Sequence, residues 1–111
     1  MIRKFFGDGE RTMSLPLEMI HELERKTAKG FGVLLNTVRA GNFHFDDVAE
    51  TIRLALIGGG TSAQEADALV RTYVAAEGNA LFEAQILATE ILLDRYAGPM
   101  PAEQDSTDDS R

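Results

Sequence analysis

The chain has 111 residues, of which 44% are hydrophobic, so its length allows one compact core but not two. A total of 18 acidic residues against 11 basic ones gives a net charge of -7, which disfavours binding to nucleic-acid phosphates or to anionic lipid. The absence of cysteine excludes disulfides, thiolate metal sites and cysteine nucleophiles. Without a signal-peptide pattern or an apolar stretch of roughly 18 residues, we expect a cytoplasmic protein that makes no membrane contact.

The N-terminal segment predicts a β-hairpin. The stretches IRKFF and RTMSL flank GDGE, whose Asp-Gly pair can supply the positive backbone angles of a tight turn between twisted strands. An isolated two-stranded hairpin is marginally stable in water. We therefore expect this hairpin to lean on the helices or to pair with another chain.

Apolar residues at helical spacing then predict three helices in succession. The first begins near Pro16 in PLEMIHELERK and is expected to end at Gly30, and the second, FGVLLNTVRA, is expected to end at Gly41. The third lies in NFHFDDVAETIRLALI, where Phe43 and Val48 have the spacing of a hydrophobic staple. Its predicted inward stripe consists of Val48, Ile52, Ala55 and Leu56.

Three consecutive glycines, Gly58, Gly59 and Gly60, separate the third predicted helix from the fourth. A phosphate-binding loop would need a preceding strand and a lysine at a fixed spacing, and neither is present. The glycines are therefore interpreted as a structural turn that permits close helix crossing. Ser62 and Glu65 have the spacing of a capping box at the start of the fourth helix.

The fourth and fifth helices complete the predicted domain. The last helix, ALFEAQILATEILLDRYA, is expected to be capped by Asn79 and to end at Gly98 and Pro99. We predict a mainly α fold over residues 1–98, a compact bundle of about five short helices with an N-terminal β-hairpin, followed by a disordered acidic tail at 99–111. The predicted inward face of the fourth helix consists of Ala66, Leu69, Val70, Tyr73 and Ala76.

No pattern in the sequence predicts catalysis, a cofactor or a metal site. The two histidines, His21 and His44, lie on different predicted helices and lack the spacing of a metal motif. No serine has the surroundings of a nucleophile elbow, and the carboxylates fall on solvent-type helical faces. We therefore expect a protein that is not an enzyme.

The last helix carries a second apolar ridge, formed by Phe82, Ile86 and Leu93, in addition to its main apolar face. The hairpin or the first helix could cover this ridge within the same chain. Alternatively, the ridge could contact a helix of another protein or a second copy of the chain. The predicted partner-binding residues are Phe82, Ile86, Leu93, Phe5 and Phe6.

Three segments in this order, LPLEMIHELE after the hairpin, GNFHFDDVAETIRLALIGGG and EADALVRTYV, resemble the small tail-assembly protein of gene transfer agents and related phages. The resemblance extends from Gly7 to Gly98. Proteins of this family are described both as tail-tube-associated and as tail assembly chaperones. The resemblance therefore implies a non-enzymatic role in building a phage-like tail.

The resemblance favours the first of two functions over the second, and the residues suggest a third. The first is a chaperone that binds the helical tape-measure protein before the tube polymerises around it. The second is a structural component that joins the tail tube, with the hairpin edge available for strand addition to neighbours. A helix-turn-helix regulator is less favoured, because its recognition helix would carry Glu65 and Asp67 where base contacts need basic or amide side chains.

Overall fold

The computed structural model describes residues 1–98 of the chain, and the predicted acidic tail at 99–111 lies outside them. The described part is a mainly α fold of five α-helices behind an N-terminal β-hairpin, which confirms the predicted fold class. A five-residue segment of π-helix, called the π-segment below, separates the last two α-helices. The elements are β1 (Ile2–Phe6), β2 (Gly9–Met13), α1 (Leu17–Thr27), α2 (Phe31–Ala40), α3 (Phe45–Gly58), α4 (Ala63–Val70), the π-segment (Arg71–Ala75) and α5 (Leu81–Ala97).

Helix α3 is the centre of the fold, since it contacts each of the other four α-helices and strand β2. The four residues of its predicted stripe are all buried, but Ala49 and Leu54 are buried as well. The prediction of a single inward stripe therefore underestimated how many residues of this helix are buried. A helix that is enclosed on several sides must be apolar around most of its circumference.

The hairpin turn lies one residue earlier than predicted. Phe6 pairs with Gly9, which leaves Gly7 and Asp8 as the two central turn residues. Gly7 has a φ of 70°, whereas Asp8 has no positive φ. This pattern is that of a type II′ turn, which needs positive φ only at its first central residue. A turn centred on Asp8 and Gly9 would force positive φ on a residue with a side chain, so the pairing that uses Gly7 is less strained.

The outer side of β2 packs directly against the C-terminal end of α3. The Ser14 N–H donates to the Ala55 carbonyl oxygen at 3.0 Å. A Cβ atom added at Gly58 would lie 2.1 Å from the Ser14 carbonyl oxygen, and one at Gly59 would lie 1.9 Å from that of Thr12. The glycines therefore permit a close approach, as predicted, but the approaching element is a strand and not a second helix.

Helix α5 holds the hairpin from the other side. The Lys4 ammonium pairs with the Glu90 carboxylate at 3.2 Å. The Arg95 Nε donates to the Leu15 carbonyl oxygen at 2.7 Å, in the linker between β2 and α1. The hairpin is thus fixed between α3 and α5, as expected for a pair of strands that is not stable by itself.

Glycines follow the ends of α2 and α3, but no glycine ends α1. Helix α1 ends at Thr27, and Ala28 follows in the left-handed region with a φ of 59°. Gly30 is instead the extended residue that precedes α2, so the prediction that it ends α1 is wrong. A helix N-cap requires this extended conformation. Gly41, with a φ of 85°, ends α2 as predicted, and Gly60, with a φ of 115°, turns the chain toward α4.

Only half of the predicted capping box forms at the start of α4. The Ser62 hydroxyl oxygen accepts a hydrogen bond from the Glu65 N–H at 3.1 Å. The Glu65 carboxylate does not reach back, because it pairs with the Arg11 guanidinium at 3.1 Å and so joins α4 to the hairpin. Arg11 also donates to Asp8 at 3.1 Å. The hydrogen bond to Asp8 and then the interactions with Glu65 hold the pKa of Arg11 above its ordinary value.

A partly buried ion pair joins the loop between α1 and α2 to the start of α3. The Lys29 ammonium lies 3.0 Å from Oδ1 of Asp47, whose side chain is 2% exposed. The second oxygen, Oδ2, accepts the His44 N–H at 2.9 Å and so satisfies an unpaired donor at the helix start. Asp47 lies within the third predicted helix, and its partner Lys29 in a distant loop is known only from the structure.

We predict that Gly58→Ala destabilises the fold by about 1–3 kcal/mol, because the added methyl group overlaps the backbone of Ser14. Gly32→Ala is the matched control in another helix, where a Cβ meets nothing within 4 Å. The control should leave stability unchanged or raise it by up to about 1 kcal/mol. Urea unfolding followed by circular dichroism measures both. Equal free energies of unfolding for the two variants would contradict the close approach.

We predict that Asp47→Ala lowers the free energy of unfolding by about 2–4 kcal/mol, since it leaves Lys29 and the His44 N–H without their partner. Asp46→Ala removes a neighbouring, exposed carboxylate and should cost less than about 1 kcal/mol. Urea unfolding of the two variants side by side tests the difference. If the two variants lose similar amounts of unfolding free energy, the ion pair adds no more stability than any carboxylate in the first turn of the helix.

A candidate protein-binding surface beside the hairpin

The outer ridge of α5 is only partly covered by the rest of the chain. Phe82 is 68% exposed and Ile86 is 44% exposed, whereas Leu93 is partly buried and packs against the core. The main apolar face of the helix is buried except at Leu81, which is exposed, and at Leu87, which is partly buried. The buried residues of this face are Ala84, Ala88, Ile91 and Leu92. The ridge therefore supplies two uncovered apolar side chains and one that contributes to the core.

The two phenylalanines of β1 face opposite directions, as alternation along a strand requires. Phe5 is 70% exposed, and Phe6 belongs to the buried core. The Phe6 ring packs edge-to-face on Tyr73, with ring centroids 6.0 Å apart. Other residues of the same chain thus cover Phe6 and, in part, Leu93, although Phe6 still contributes to the lining of the groove described next. Phe5, Ile86 and Phe82 are called the apolar strip below.

A groove of about 560 Å³ runs between β1 and α5. Phe5 and Ile86 lie on its two sides, and Tyr73 and Leu87 contribute further apolar surface. Charged side chains border it at Lys4, Glu83 and Glu90. Concave, mainly apolar surfaces with a few polar groups at the border are typical of binding sites.

A second, smaller depression of about 240 Å³ lies on the other side of Ile86. Phe82 and Arg39 line it, together with Gln85, whose side-chain nitrogen donates to the Val38 carbonyl oxygen at 2.9 Å and so ties α5 to α2. Ile86 lines both concavities. The two concavities therefore link the residues of the apolar strip, with Ile86 shared by both.

The end of the groove is shaped by the π-segment. The Ala76 N–H donates to the Arg71 carbonyl oxygen at 3.1 Å, a bond across five residues that widens the helical turn. Val74 is consequently the buried residue of this segment, and Tyr73, which was predicted to face the core, is 39% exposed. Ala76, also predicted to face the core, is exposed. These two assignments are wrong because a constant helical period does not anticipate a π-turn.

Tyr73 instead packs over the hairpin turn. A Cβ atom added at Gly7 would lie 2.6 Å from its ring. Asn79 was predicted to cap α5, but its side chain donates to the carbonyl oxygens of Thr72 and Ala76 at 3.0 Å each. Ala80 is the residue that precedes α5. Asn79 thus closes the π-segment, and this role could be recognised only once the irregular turn was known.

Between residues 1 and 98, no group of three or more His, Cys, Asp or Glu side chains could hold a metal ion. No helix within the same range is long and apolar enough to cross a membrane. The apolar strip and its two concavities form the candidate binding surface.

One protein family, described as phage tail tube protein, GTA-gp10, matches residues 1–98. The chain belongs to this family. A search of curated proteins gave no match, and a search of solved structures gave none either. Membership confirms the resemblance to gene transfer agent and phage tail proteins. The description names a tail tube protein, so it favours the tail-tube component over the chaperone as the function of this GTA-gp10 family member.

We predict that Ile86→Asp leaves the helical signal in the far-ultraviolet intact, because the side chain lies at the surface between two concavities. Its free energy of unfolding should fall by no more than about 1 kcal/mol. Ala88→Asp, two residues further along the same helix, places a charge at a position with 0% exposure and should unfold the protein. Circular dichroism and thermal melting compare the two. Unfolding of both variants would place Ile86 in the core.

Proposed function

We propose that the protein is a structural component of a phage-like tail that joins the tail tube by contacting neighbouring tail proteins through the apolar strip. The observation that carries this proposal is the exposure of Phe5, Ile86 and Phe82 together at the borders of two concavities. Exposed apolar patches of this kind mark interaction surfaces. The family description supports the tail as the place of that interaction.

The chemistry of the surface suits a protein partner. Phenylalanine rings supply large contact areas at a small entropic cost, and aromatic residues are enriched in the centres of protein interfaces. The Glu83 carboxylate at the border of the groove favours a partner that carries lysine or arginine beside its apolar residues. Glu90 is already paired with Lys4, so it adds less to this preference.

The chaperone predicted from the sequence would use the same surface differently. A chaperone would cover the amphipathic helices of the tape-measure protein and leave before the tail is complete. A tail component remains in the finished particle. The two functions therefore differ in where the chain is found, and the family description favours the tail component.

We predict that purified particles contain the chain in many copies and that Ile86→Asp reduces its incorporation at least about tenfold, since loss of one central apolar contact costs about 2 kcal/mol or more in an interface. Val33→Asp is the matched control, because Val33 is an exposed apolar residue of α2 outside both concavities. It should be incorporated like the wild type. Quantitative mass spectrometry of particles from cells that express each variant measures the effect.

Two results would contradict this function. If the wild-type chain is absent from particles but co-purifies with the tape-measure protein before assembly, the chaperone function replaces the tail component. If Val33→Asp and Ile86→Asp are incorporated equally, the chain joins the tail through a different surface. Circular dichroism of each variant first establishes that it folds.

A further inference from the structure

The hairpin has one edge whose backbone groups are not used within the described chain. Phe6 and Gly9 close a two-residue turn and form a hydrogen-bonded pair, after which bonded and non-bonded pairs alternate. Arg3 and Phe5 therefore direct their N–H and C=O groups away from β2. Among residues 1–98, neither has a backbone partner outside the hairpin.

The opposite edge of the hairpin is covered. The Thr12 carbonyl oxygen lies against Gly59, and the Ser14 N–H is bonded to the Ala55 oxygen. Strand β1 is thus the open edge of this small sheet. Proteins commonly protect such edges by placing charged side chains on them.

The charges on β1 are engaged within the chain. Arg3 Nε lies 2.9 Å from the Glu10 carboxylate on the neighbouring strand, and Lys4 lies 3.2 Å from Glu90 on α5. These ion pairs neutralise the strand locally, although the whole chain carries a charge of -7. The edge is therefore less repulsive toward a similar strand than its sequence suggests.

We propose that the open edge of β1 pairs in antiparallel orientation with β1 of a second copy of this chain, about a two-fold axis through Lys4. Arg3 of each copy then lies opposite Phe5 of the other, and each of these pairs exchanges both backbone hydrogen bonds. The Arg3 and Phe5 side chains share the outward face, so each guanidinium meets a ring of the other copy. The two hairpins form one continuous sheet, and the exposed Phe5 gains cover.

The second copy is favoured over an unrelated strand because the edge is complementary to itself. The two residues with free backbone groups are spaced symmetrically about Lys4, as an isologous contact requires. The two Lys4 residues lie opposite each other at a position without backbone hydrogen bonds. The charge of each Lys4 ammonium is compensated by Glu90 of its own copy. The inference deepens the proposed function by naming one neighbour, and it rests on that function only for its role in the tail.

The natural absence of cysteine allows a direct test with single-cysteine variants of the full chain. In the proposed dimer the two Lys4 Cα atoms are about 4.5 Å apart, within the range of a disulfide. Lys4→Cys should therefore form a covalent dimer under mild oxidation at least tenfold faster than Glu10→Cys. Glu10 lies on β2, and its two copies would be separated by further strands, beyond disulfide reach.

The Lys4→Cys variant lacks the ion pair with Glu90, so it differs from the native edge. Sedimentation velocity of the wild-type chain therefore tests dimer formation with the native edge intact. We expect a dimer Kd of about 10 μM. At a protein concentration of about 100 μM, most of the wild-type chain should then be dimeric. A monomeric wild type together with equal cross-linking rates for the two variants would overturn the inference. If the chain is nevertheless found in particles, the proposed function stands; if the dimer forms and particles lack the chain, only the proposed function fails.

Discussion

The close approach of β2 to the end of α3 determines how the rest of this surface is arranged. Gly58 and Gly59 leave no room for side chains there, because the backbone of Thr12 and Ser14 occupies the space. This contact covers one edge of the hairpin and orients its inner face toward α5. The other edge is left open beside a groove. A close packing contact within the fold therefore defines a feature of its surface.

Helices α3 and α5 show how one small chain distributes its apolar surface. The first is enclosed on several sides by other elements, and its buried residues form the centre of the core. The second is covered on one face by α2 and α3, while Phe82 and Ile86 remain exposed. A small chain buries a smaller fraction of its surface on folding than a large one does. The remaining surface is available to other subunits, which agrees with a family of tail tube proteins.

The sequence predicts what depends on local chemistry and misses what depends on tertiary contacts. Helical periodicity, the left-handed glycine at Gly41 and the cap at Ser62 are local, and the structure confirms them. The π-segment is not periodic, so the direction of Tyr73 was wrong. The candidate site was predicted in part: Phe82 is exposed as a contact residue must be, whereas Phe6 is buried because the hairpin docks on its own helices. That docking depends on contacts between distant residues, which no single stretch encodes.

The most direct test compares amide hydrogen exchange in the isolated chain with exchange in the chain incorporated into tails. We expect the Arg3 and Phe5 amides, which have no partner among residues 1–98, to exchange rapidly in dilute solution and slowly in the tail. Amides near Ile86 should gain protection as well, while those of the already enclosed α3 change little. Protection gained only on α4, or no change along β1 and α5, would contradict the claim that this surface joins the protein to the tail.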